Sequence, residues 1–425
     1  MNINKYKILF YITAIAVPIF AVLMFNPRTD VAIYGPYFGF EEEYLQKELD
    51  LIGKDLDIRI KYFPVIDVET HIVENYEDGD IPDIAIMPNP QGVTNLGERS
   101  IAVPIENVIQ ADYLNRVYPK HLIDITTSLE TGINYGAWLR LFPNSLIWYD
   151  ISKIEKYYDV NFQDFDSLIS STYKIADSGV TPWCANSESS ASTGWIQTNW
   201  LEDVILSKHG PEIYDRWSQL DIQASNVKIY SSMQVIDDLI FYPNHIHNGH
   251  NSIISKEFRN LPKVLLDDNN SCFLSWSGHY FRYYIPEEYP YGEDYGVIKL
   301  PKINLEDTVV GIGDAVVLIK DDQIARNVIT EMISSKFGEK WSSYSDTEFI
   351  SANRYFNGEI INNKLTQYEF RIVHDALKKD LFRYDASEIM DRGIGSNLLW
   401  EFFIRYINGG SDSIVKLLNE LDKEI

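Results

Sequence analysis

Strands and helices alternate along residues 30–90, and this alternation limits the possible folds more than any other feature of the sequence. Residues 30–37 are predicted to form a strand that glycine and proline end, and residues 41–52 a helix with one apolar face. Two further strands are predicted at residues 56–65 and 81–87, which gives a β-α-β-α-β order. Such an order favours an α/β fold with a mostly parallel sheet covered by helices.

The carboxyl ends of the predicted strands indicate where a ligand would bind. In open α/β sheets, ligands bind against the loops at those ends. Tyr37 and Phe38 follow the first predicted strand, and Asn89 follows the third. We therefore expect these three side chains to contribute to a binding site.

Changes of pattern further along the chain predict a second α/β unit. The run at residues 136–150, which includes Trp138 as a candidate contact, is typical of an extended segment that crosses between units. Length alone predicts two or three domains for 425 residues. We expect a leader at residues 1–29, a first lobe from residues 30–137 and 271–320, and a helix-rich second lobe from residues 138–270 and 321–425.

The apolar run at residues 8–25 follows Lys5 and Lys7 and is the only segment of membrane length in the sequence. No small-residue cleavage site follows it, and the run is longer than the apolar part of most signal peptides. An uncleaved anchor is therefore favoured over a removed signal peptide. In both cases the rest of the chain is expected on the periplasmic or extracellular side of a bacterial inner membrane.

The charge of the chain excludes some classes of partner. It has 62 acidic and 37 basic residues, a formal net charge of -25, which repels nucleic acid and anionic lipid headgroups. His245, His247 and His250 lie close together, but no carboxylate or cysteine at a recognised ligand spacing accompanies them. We predict a polar loop there, no metal site and no cofactor.

Residues 182–203 combine aromatic faces with small hydrogen-bonding groups. Three tryptophans there alternate with serine, threonine and glutamate. A sugar has C–H faces that rest on indole rings and hydroxyls that both donate and accept hydrogen bonds. The stretch is therefore typical of a carbohydrate site, with core packing as the alternative for its tryptophans. The candidate contacts are Glu188, Ser189, Thr193 and Trp195.

The sequence carries no specific sign of catalysis. It has neither the Gly-x-Ser-x-Gly of serine hydrolases nor the His-Glu-x-x-His of zinc proteases, and its many carboxylates do not select a glycosidase pair. Arg383 and Asp385 lie at a predicted helix start, where they form either a cap with an ion pair or contacts to sugar hydroxyls. We predict a binding protein and not an enzyme.

Cys184 and Cys272 are the only cysteines. An even number in an oxidising compartment indicates a disulfide, and two separate buried thiols are the alternative. We predict that the two cysteines form a disulfide.

Several motifs together resemble family 1 of the extracellular solute-binding proteins of ABC-type sugar importers, most closely its alpha-glucoside-binding branch. Pro-Trp-Cys from residue 182 is followed by Glu-Ser, Thr-Gly-Trp and Thr-x-Trp-x-Glu-Asp, as in that branch. Phe-Arg-Tyr-Asp-Ala-Ser from residue 382 and the Gly-Ile-Gly-Asp that ends at Asp314 match as well. Near the start, Gly-Pro-Tyr-Phe-Gly and Gly-x-x-Pro-Asp resemble the family's first strand and the motif after it.

The resemblance implies a bilobal fold of the periplasmic-binding-protein type, in which a carbohydrate is held between two lobes and passed to the permease subunits of an ABC importer. It adds Asp314 to the candidate contacts. It also adds Trp276, because the segment around this residue departs from the branch's usual sequence and indicates a different sugar. A monomer is expected. A membrane-tethered sugar sensor or surface protein of the same fold and a glycan-active enzyme stay open as alternatives.

Overall fold

Parallel strands from the start of the chain lie at one side of a six-stranded sheet. The computed structural model describes residues 30–156, 160–267 and 272–425. Its strands are β1 (Val31–Gly35), β2 (Ile60–Pro64), β3 (Ile84–Met87), β4 (Gly136–Pro143), β5 (Leu146–Asp150), β6 (Leu274–Trp276), β7 (Tyr295–Lys299), β8 (Val309–Leu318) and β9 (Phe382–Tyr384). The first sheet has the order β2-β1-β3-β8-β4, with β9 beside β8.

The predicted alternation at the start of the chain is confirmed. β1 pairs in parallel with both β2 and β3, with Val31 opposite Ile60 and Ile33 opposite Ile84. β8 then runs antiparallel to β3 and β4, while β9 runs parallel to β8. The second sheet is smaller and antiparallel, with the order β6-β5-β7.

Helices surround both sheets. They are α1 (Phe40–Leu56), α2 (Val68–Asn75), α3 (Pro90–Glu98), α4 (Ala111–Val117), α5 (Lys120–Asp124), α6 (Ile151–Lys156), α7 (Phe165–Asp177), α8 (Trp195–His209), α9 (Pro211–Ser218), α10 (Val227–Phe241), α11 (Leu261–Leu265), α12 (Gln323–Met332), α13 (Glu339–Ser342), α14 (Lys364–Lys378), α15 (Ala386–Ile389), α16 (Leu399–Gly409) and α17 (Ile414–Glu424). Several begin at a residue whose side chain accepts a backbone N–H of the first turn, such as Asp67 before α2 and Asp164 before α7.

Helix α8 is the central helix of the second lobe. Every residue from position 196 to position 207 is buried, so the helix has no solvent-facing side over this length. A helix that is buried all round must pack against neighbours on every face. Its contacts include α9, α10, α16 and strand β8 of the first sheet.

The chain crosses between the two lobes three times. It leaves the first sheet between β4 and β5, returns between β7 and β8, and leaves again after β9. The first of these crossings falls at Asn144 and Ser145, inside the segment at residues 136–150 that the sequence predicted to cross.

The sheets divide the later chain differently from the predicted lobe boundaries. β6 and β7 lie in the range 271–320 that was predicted for the first lobe, but both pair with β5 of the second sheet. Helices α12 and α14 lie in the range 321–425 that was predicted for the second lobe, but they contact β8 and β4 of the first sheet. Local patterning identifies a strand or a helix, whereas its partner depends on contacts distant in the sequence.

In the described parts of the chain, no helix is long and apolar enough to span a membrane. The predicted anchor at residues 8–25 lies outside those parts.

Candidate functional site

An ion-paired group lies at the carboxyl edge of the first sheet. The Tyr37 hydroxyl, just after β1, donates to Asp314 Oδ2 at 2.8 Å. Arg140 Nε donates to the same oxygen at 2.5 Å, and another guanidinium nitrogen contacts Glu41 Oε1 at 2.6 Å. The guanidinium carbon of Arg140 also lies 4.0 Å from the centroid of the Tyr37 ring. The structure therefore brings the predicted residues Tyr37 and Asp314 together.

Arg140 was missed by the sequence analysis, although a signal existed. It is the only charged residue in the mostly apolar run at residues 137–149. It is buried on β4, with 6% of its surface exposed. Burial alone would lower its pKa, but Glu41 and the neighbouring Tyr37 and Asp314 hold the pKa well above its ordinary value. Arg140 is therefore a permanent cation already shared between two carboxylates.

Two other predicted residues at this edge have structural contacts. The Trp138 ring lies 4.9 Å from the Tyr384 ring, and its indole N–H donates to the Leu122 carbonyl at 2.6 Å. The Asn89 side chain accepts from the Gly92 N–H at 2.7 Å and caps α3, although part of its surface is exposed. Phe38, by contrast, is 47% exposed.

Three aromatic rings meet at the start of α8 in the second lobe, where Trp195 and Tyr280 are partly exposed and Phe258 is buried. The Trp195 ring lies 4.5 Å from the Tyr280 ring, and the Phe258 ring meets it edge-on at 5.5 Å. Gly194 makes this position possible: its φ is +106°, and a Cβ there would lie 2.4 Å from the Trp400 carbonyl oxygen. Only glycine combines that conformation with so close a backbone approach. We call Trp195, Phe258 and Tyr280 the aromatic group.

A short 3₁₀ helix connects the aromatic group with the edge of the first sheet. It spans His279–Tyr284, directly after β6. Tyr280 and Tyr283 are three residues apart and therefore share one face of a 3₁₀ helix. Tyr280 contacts Trp195, while Tyr283 is 46% exposed and close enough to Arg140 to affect its pKa.

The polar candidates before α8 hold a turn. Thr193 Oγ1 accepts from the Ser189 N–H at 3.1 Å and donates to the Ser190 carbonyl at 2.8 Å. Glu188 Oε1 accepts from the Ser190 N–H at 2.8 Å. Glu188 and Ser189 keep part of their surface exposed, while Thr193 is buried. These side chains therefore position the segment that leads into Trp195.

Trp276 lies in the core. For this tryptophan, core packing and not sugar contact is the role that the structure indicates. It is 1% exposed, its ring stacks on Trp200 at 5.3 Å, and its N–H donates to Asp203 Oδ2 at 2.8 Å. At 1% exposure the indole presents no open ring to a cleft.

Arg383 and Asp385 do not pair with each other. Arg383 forms a two-point pair with Asp215, with contacts of 2.6 Å and 3.1 Å. Asp385 caps α15 by accepting from the Ser387 N–H at 3.0 Å and from the Ser387 hydroxyl at 2.6 Å. Both residues are buried, and Asp215 was not selected from the sequence. The helix cap and the ion pair that were the alternative to sugar contacts are therefore both present. The partner of Arg383 in the ion pair is Asp215 and not Asp385.

Four carboxyl groups lie close together where the chain leaves β9. Burial, reinforced by repulsion from Asp385, raises the pKa of Asp203 to about 7 and that of Glu388 to about 7. Burial likewise raises the pKa of Glu202 and of Asp385. Burial therefore favours the protonated, neutral form of these four carboxyl groups.

The histidines of the 245–250 loop do not gather at a site. His245 is buried, and its two ring nitrogens contact the Leu239 carbonyl at 2.7 Å and the Thr172 hydroxyl at 2.8 Å. Among the residues with a described position, no group of histidine, cysteine, aspartate or glutamate has the geometry of a metal site.

The predicted cysteine pair lies at disulfide distance. The Cα atoms of Cys184 and Cys272 are 5.4 Å apart. Their segments are already neighbours, because the Cys184 N–H donates to the Leu274 carbonyl at 2.8 Å. A bond between them would join adjacent segments of the second lobe.

The predicted contacts thus fall into two sets. Those with exposed surface are Phe38, Asn89, Glu188, Ser189 and Trp195. Those that are buried are Tyr37, Trp138, Thr193, Trp276, Asp314, Arg383 and Asp385.

Comparison with known proteins places this fold among binding proteins. Osmoprotective compounds-binding protein GgtB of Synechocystis sp. is 24% identical over 399 residues, which cover 93% of this chain and 92% of the relative. Alpha-glucosides-binding periplasmic protein AglE of Rhizobium meliloti is 25% identical over 398 residues, which cover 91% and 85%. The solved structure of the bacterial solute receptor AcbH has a TM-score of 0.75 at 12% identity and covers 93% of this chain and 98% of that one. No family model matches the sequence.

These likenesses define the class, because the fold is that of the bilobal solute-binding proteins. The resemblance to family 1 of the extracellular solute-binding proteins of ABC importers is confirmed, since both relatives are binding proteins that match along most of the chain. The chain is accordingly a solute-binding protein rather than an enzyme, and it works outside the cytoplasm.

Proposed function

We propose that the protein captures a neutral carbohydrate between the aromatic group of the second lobe and the carboxyl edge of the first sheet. The observation that carries the proposal is the partly exposed Trp195 ring, which meets Tyr280 at 4.5 Å beside the polar turn at residues 188–193. Indole and phenol faces suit the C–H faces of a sugar, and a few nearby polar groups suit its hydroxyls.

The charges at the site favour a neutral solute over an anionic one. Arg140 is already shared between Asp314 and Glu41, so this trio carries a net negative charge. A sugar hydroxyl can donate to a carboxylate, whereas a phosphate or carboxylate on the solute would be repelled. The names of the relatives, which mention alpha-glucosides and osmoprotective compounds, support the same choice.

We infer further that the loaded protein delivers its sugar to the permease subunits of an ABC importer and acts as a monomer. The Cys184–Cys272 disulfide and an N-terminal anchor at residues 8–25 belong to the same proposal. The relatives support the transport role through their class, and the 5.4 Å separation of the Cα atoms supports the disulfide.

The test is a calorimetric titration of purified residues 30–425 with glucose, maltose, trehalose, sucrose and raffinose, and with glucose 6-phosphate as the anionic control. We expect at least one neutral sugar to bind and to be recovered chemically intact. At a sugar concentration of 100 times the Kd, the bound state gains about 2.7 kcal/mol of stability, which a thermal melt detects. Hydrolysed sugar in the recovered sample, or binding of the phosphate alone, would contradict the proposal.

A matched pair of variants tests the position of the site. Replacing Trp195 with alanine should weaken sugar binding by about 5- to 150-fold, which corresponds to the loss of about 1–3 kcal/mol of stacking. Tyr76 is also aromatic and 41% exposed, and it follows the last residue of α2, which packs on β3 and α3 of the first lobe, so Tyr76→Ala should bind like the parent protein. Equal affinities for all three proteins would place the sugar elsewhere.

A further inference from the structure

Two consecutive carboxylates in the middle of α8 reach all three crossings between the lobes. Glu202 and Asp203 belong to the Thr-x-Trp-x-Glu-Asp motif, which the sequence analysis associated with the solute. Glu202 is fully buried and Asp203 is 3% exposed. Their hydrogen bonds join α8 to the crossing segments, which indicates a structural role for this part of the motif.

Asp203 holds the first two crossings together. The Ser145 hydroxyl, between β4 and β5, donates to Asp203 Oδ1. The same hydroxyl oxygen accepts from the Val310 N–H, at the start of β8, at 2.8 Å. The other carboxylate oxygen accepts from the Trp276 N–H of β6 at 2.8 Å. Asp203 is therefore connected to the outgoing crossing, to the returning crossing and to the second sheet.

Glu202 holds the third crossing. Its two oxygens accept from the backbone N–H groups of Ala386 at 3.0 Å and Ser387 at 3.2 Å, directly after the chain leaves β9. The Tyr214 hydroxyl lies 3.2 Å from Glu202 and donates to the Tyr384 carbonyl at 2.7 Å. The exit from β9 is therefore hydrogen-bonded both before Asp385, at Tyr384, and after it, at Ala386 and Ser387.

In the ranges that the structure describes, no ion pair is seen for either carboxylate. The main influences on the pKa of Glu202 and Asp203 are burial, hydrogen bonds and repulsion from Asp385, and burial raises both pKa values. Buried carboxylates without a cation are expensive unless hydrogen bonds satisfy them. The partners that satisfy these two belong mainly to the crossings, so the crossings are what the carboxylates organise.

We propose that Glu202 and Asp203 are positioning residues that fix the geometry of the three crossings and so determine how the two lobes move relative to each other. This inference rests on the proposed function only in its consequence, because lobe geometry governs how tightly a solute can be enclosed. The two carboxylates act on the solute through the hinge and not by contact.

Conservative variants remove one hydrogen bond at a time. A carboxylate offers two acceptor oxygens, whereas an amide offers one acceptor and one donor. Glu202→Gln and Asp203→Asn therefore each lose a bond to a crossing with little change of shape. Ser145→Ala is the milder third variant, because it removes only the hydroxyl that joins Asp203 to Val310.

Glu48→Gln is the matched control. Glu48 is also buried, at 4% exposure, its pKa is also raised by burial, and it also accepts a backbone N–H, that of Trp341 at 2.6 Å. Its contacts join α1 to α13, both on the first sheet, so it touches no crossing. It therefore reproduces the loss of stability without any effect on the hinge.

The measurement is the distance distribution between two spin labels in the ligand-free protein. Leu129→Cys in the first lobe and Val227→Cys in the second carry the labels, since these residues are 92% and 75% exposed, and labelling is done without reductant. We expect the distribution to broaden, or its mean to shift by about 2 Å or more, in Glu202→Gln, Asp203→Asn and Ser145→Ala, and to match the parent in Glu48→Gln.

Parent-like distributions in all three hinge variants would overturn the proposal, and so would equal broadening in Glu48→Gln. Circular dichroism identifies a variant that does not fold, and Ser145→Ala then decides. Because no solute enters this measurement, failure of every sugar to bind would count against the proposed function and not against the hinge role.

Discussion

Replacing Trp276 with alanine should damage folding and not the solute site. The indole is 1% exposed, stacks on Trp200 at 5.3 Å and lies 5.5 Å from the Phe165 ring. Truncating a buried tryptophan to alanine typically lowers the free energy of unfolding by about 3–5 kcal/mol. The same change leaves Asp203 without the donor at 2.8 Å, and an unsatisfied buried acceptor costs about 1–3 kcal/mol. We therefore expect the free energy of unfolding to fall by about 5 kcal/mol or more.

Two variants separate the contributions of the ring and the hydrogen bond. Trp276→Phe keeps an aromatic ring against Trp200 but removes the N–H, so its loss should be smaller than that of Trp276→Ala. Trp195→Ala is the comparison at the surface. Its ring is only partly buried, so we expect the free energy of unfolding to fall by about 0.5–1.5 kcal/mol, which is the contribution of one aromatic pair.

The assay is urea denaturation of the ligand-free variants, followed by calorimetry with whichever sugar binds the parent protein. The expected order of unfolding free energies is parent, then Trp195→Ala, then Trp276→Phe, then Trp276→Ala. The expected order of affinities is different, with Trp195→Ala the weakest. A Trp276→Ala protein of parental stability that no longer binds sugar would refute the burial argument and place Trp276 in the site.

Three further predictions concern the backbone, the cysteines and pH. Gly194→Ala should lower the free energy of unfolding by more than Gly249→Ala, because both have positive φ but only Gly194 faces a backbone atom within 4 Å; parallel urea melts with equal losses would contradict this. Reduction of the cysteine pair, which spans 88 residues, should remove about 4–5 kcal/mol, and alkylation of both thiols in exported, unreduced protein would show that the bond does not form. Because the folded-state pKa of Asp203, about 7, exceeds that of the unfolded chain, its contribution to stability is present at low pH and is lost as pH rises from about 4 to 7. Asp203→Asn should therefore flatten the decline of stability over this window by up to about 1.4 kcal/mol per pH unit, and an unchanged slope would refute the shift.

Much of the local structure was predictable from periodicity. The strands predicted at residues 30–37, 56–65 and 81–87 correspond to β1, β2 and β3, and the helix predicted at residues 41–52 corresponds to α1. Apolar spacing decides such elements, because it reflects which side of a helix or strand can be buried. The 3₁₀ helix after β6 contains a run of tyrosine and phenylalanine with high strand propensity, which tertiary contacts override.

The candidate site was less predictable, because exposure is a property of the assembled molecule. Trp195, Trp200 and Trp276 are chemically identical, yet only Trp195 keeps part of its ring exposed. Gly194 offers a partial sequence signal, since it sets Trp195 at the start of a helix. Nothing local distinguishes Trp276, whose burial depends on α8, a distant segment of the chain.

The sequence by itself determined the class of this protein. The alternation at residues 30–90 specifies a parallel α/β start, and the motifs at residues 182–203 and 382–387 carry the resemblance to the solute-binding proteins. Only the tertiary structure decided which charged groups meet. Arg140 reaches Glu41 across 99 residues and Asp314 across 174, and Glu202 reaches Ala386 across 184. Contacts over such separations form only when the sheets and helices have assembled, so no local pattern encodes them and the role of the Glu-Asp motif emerged from the fold.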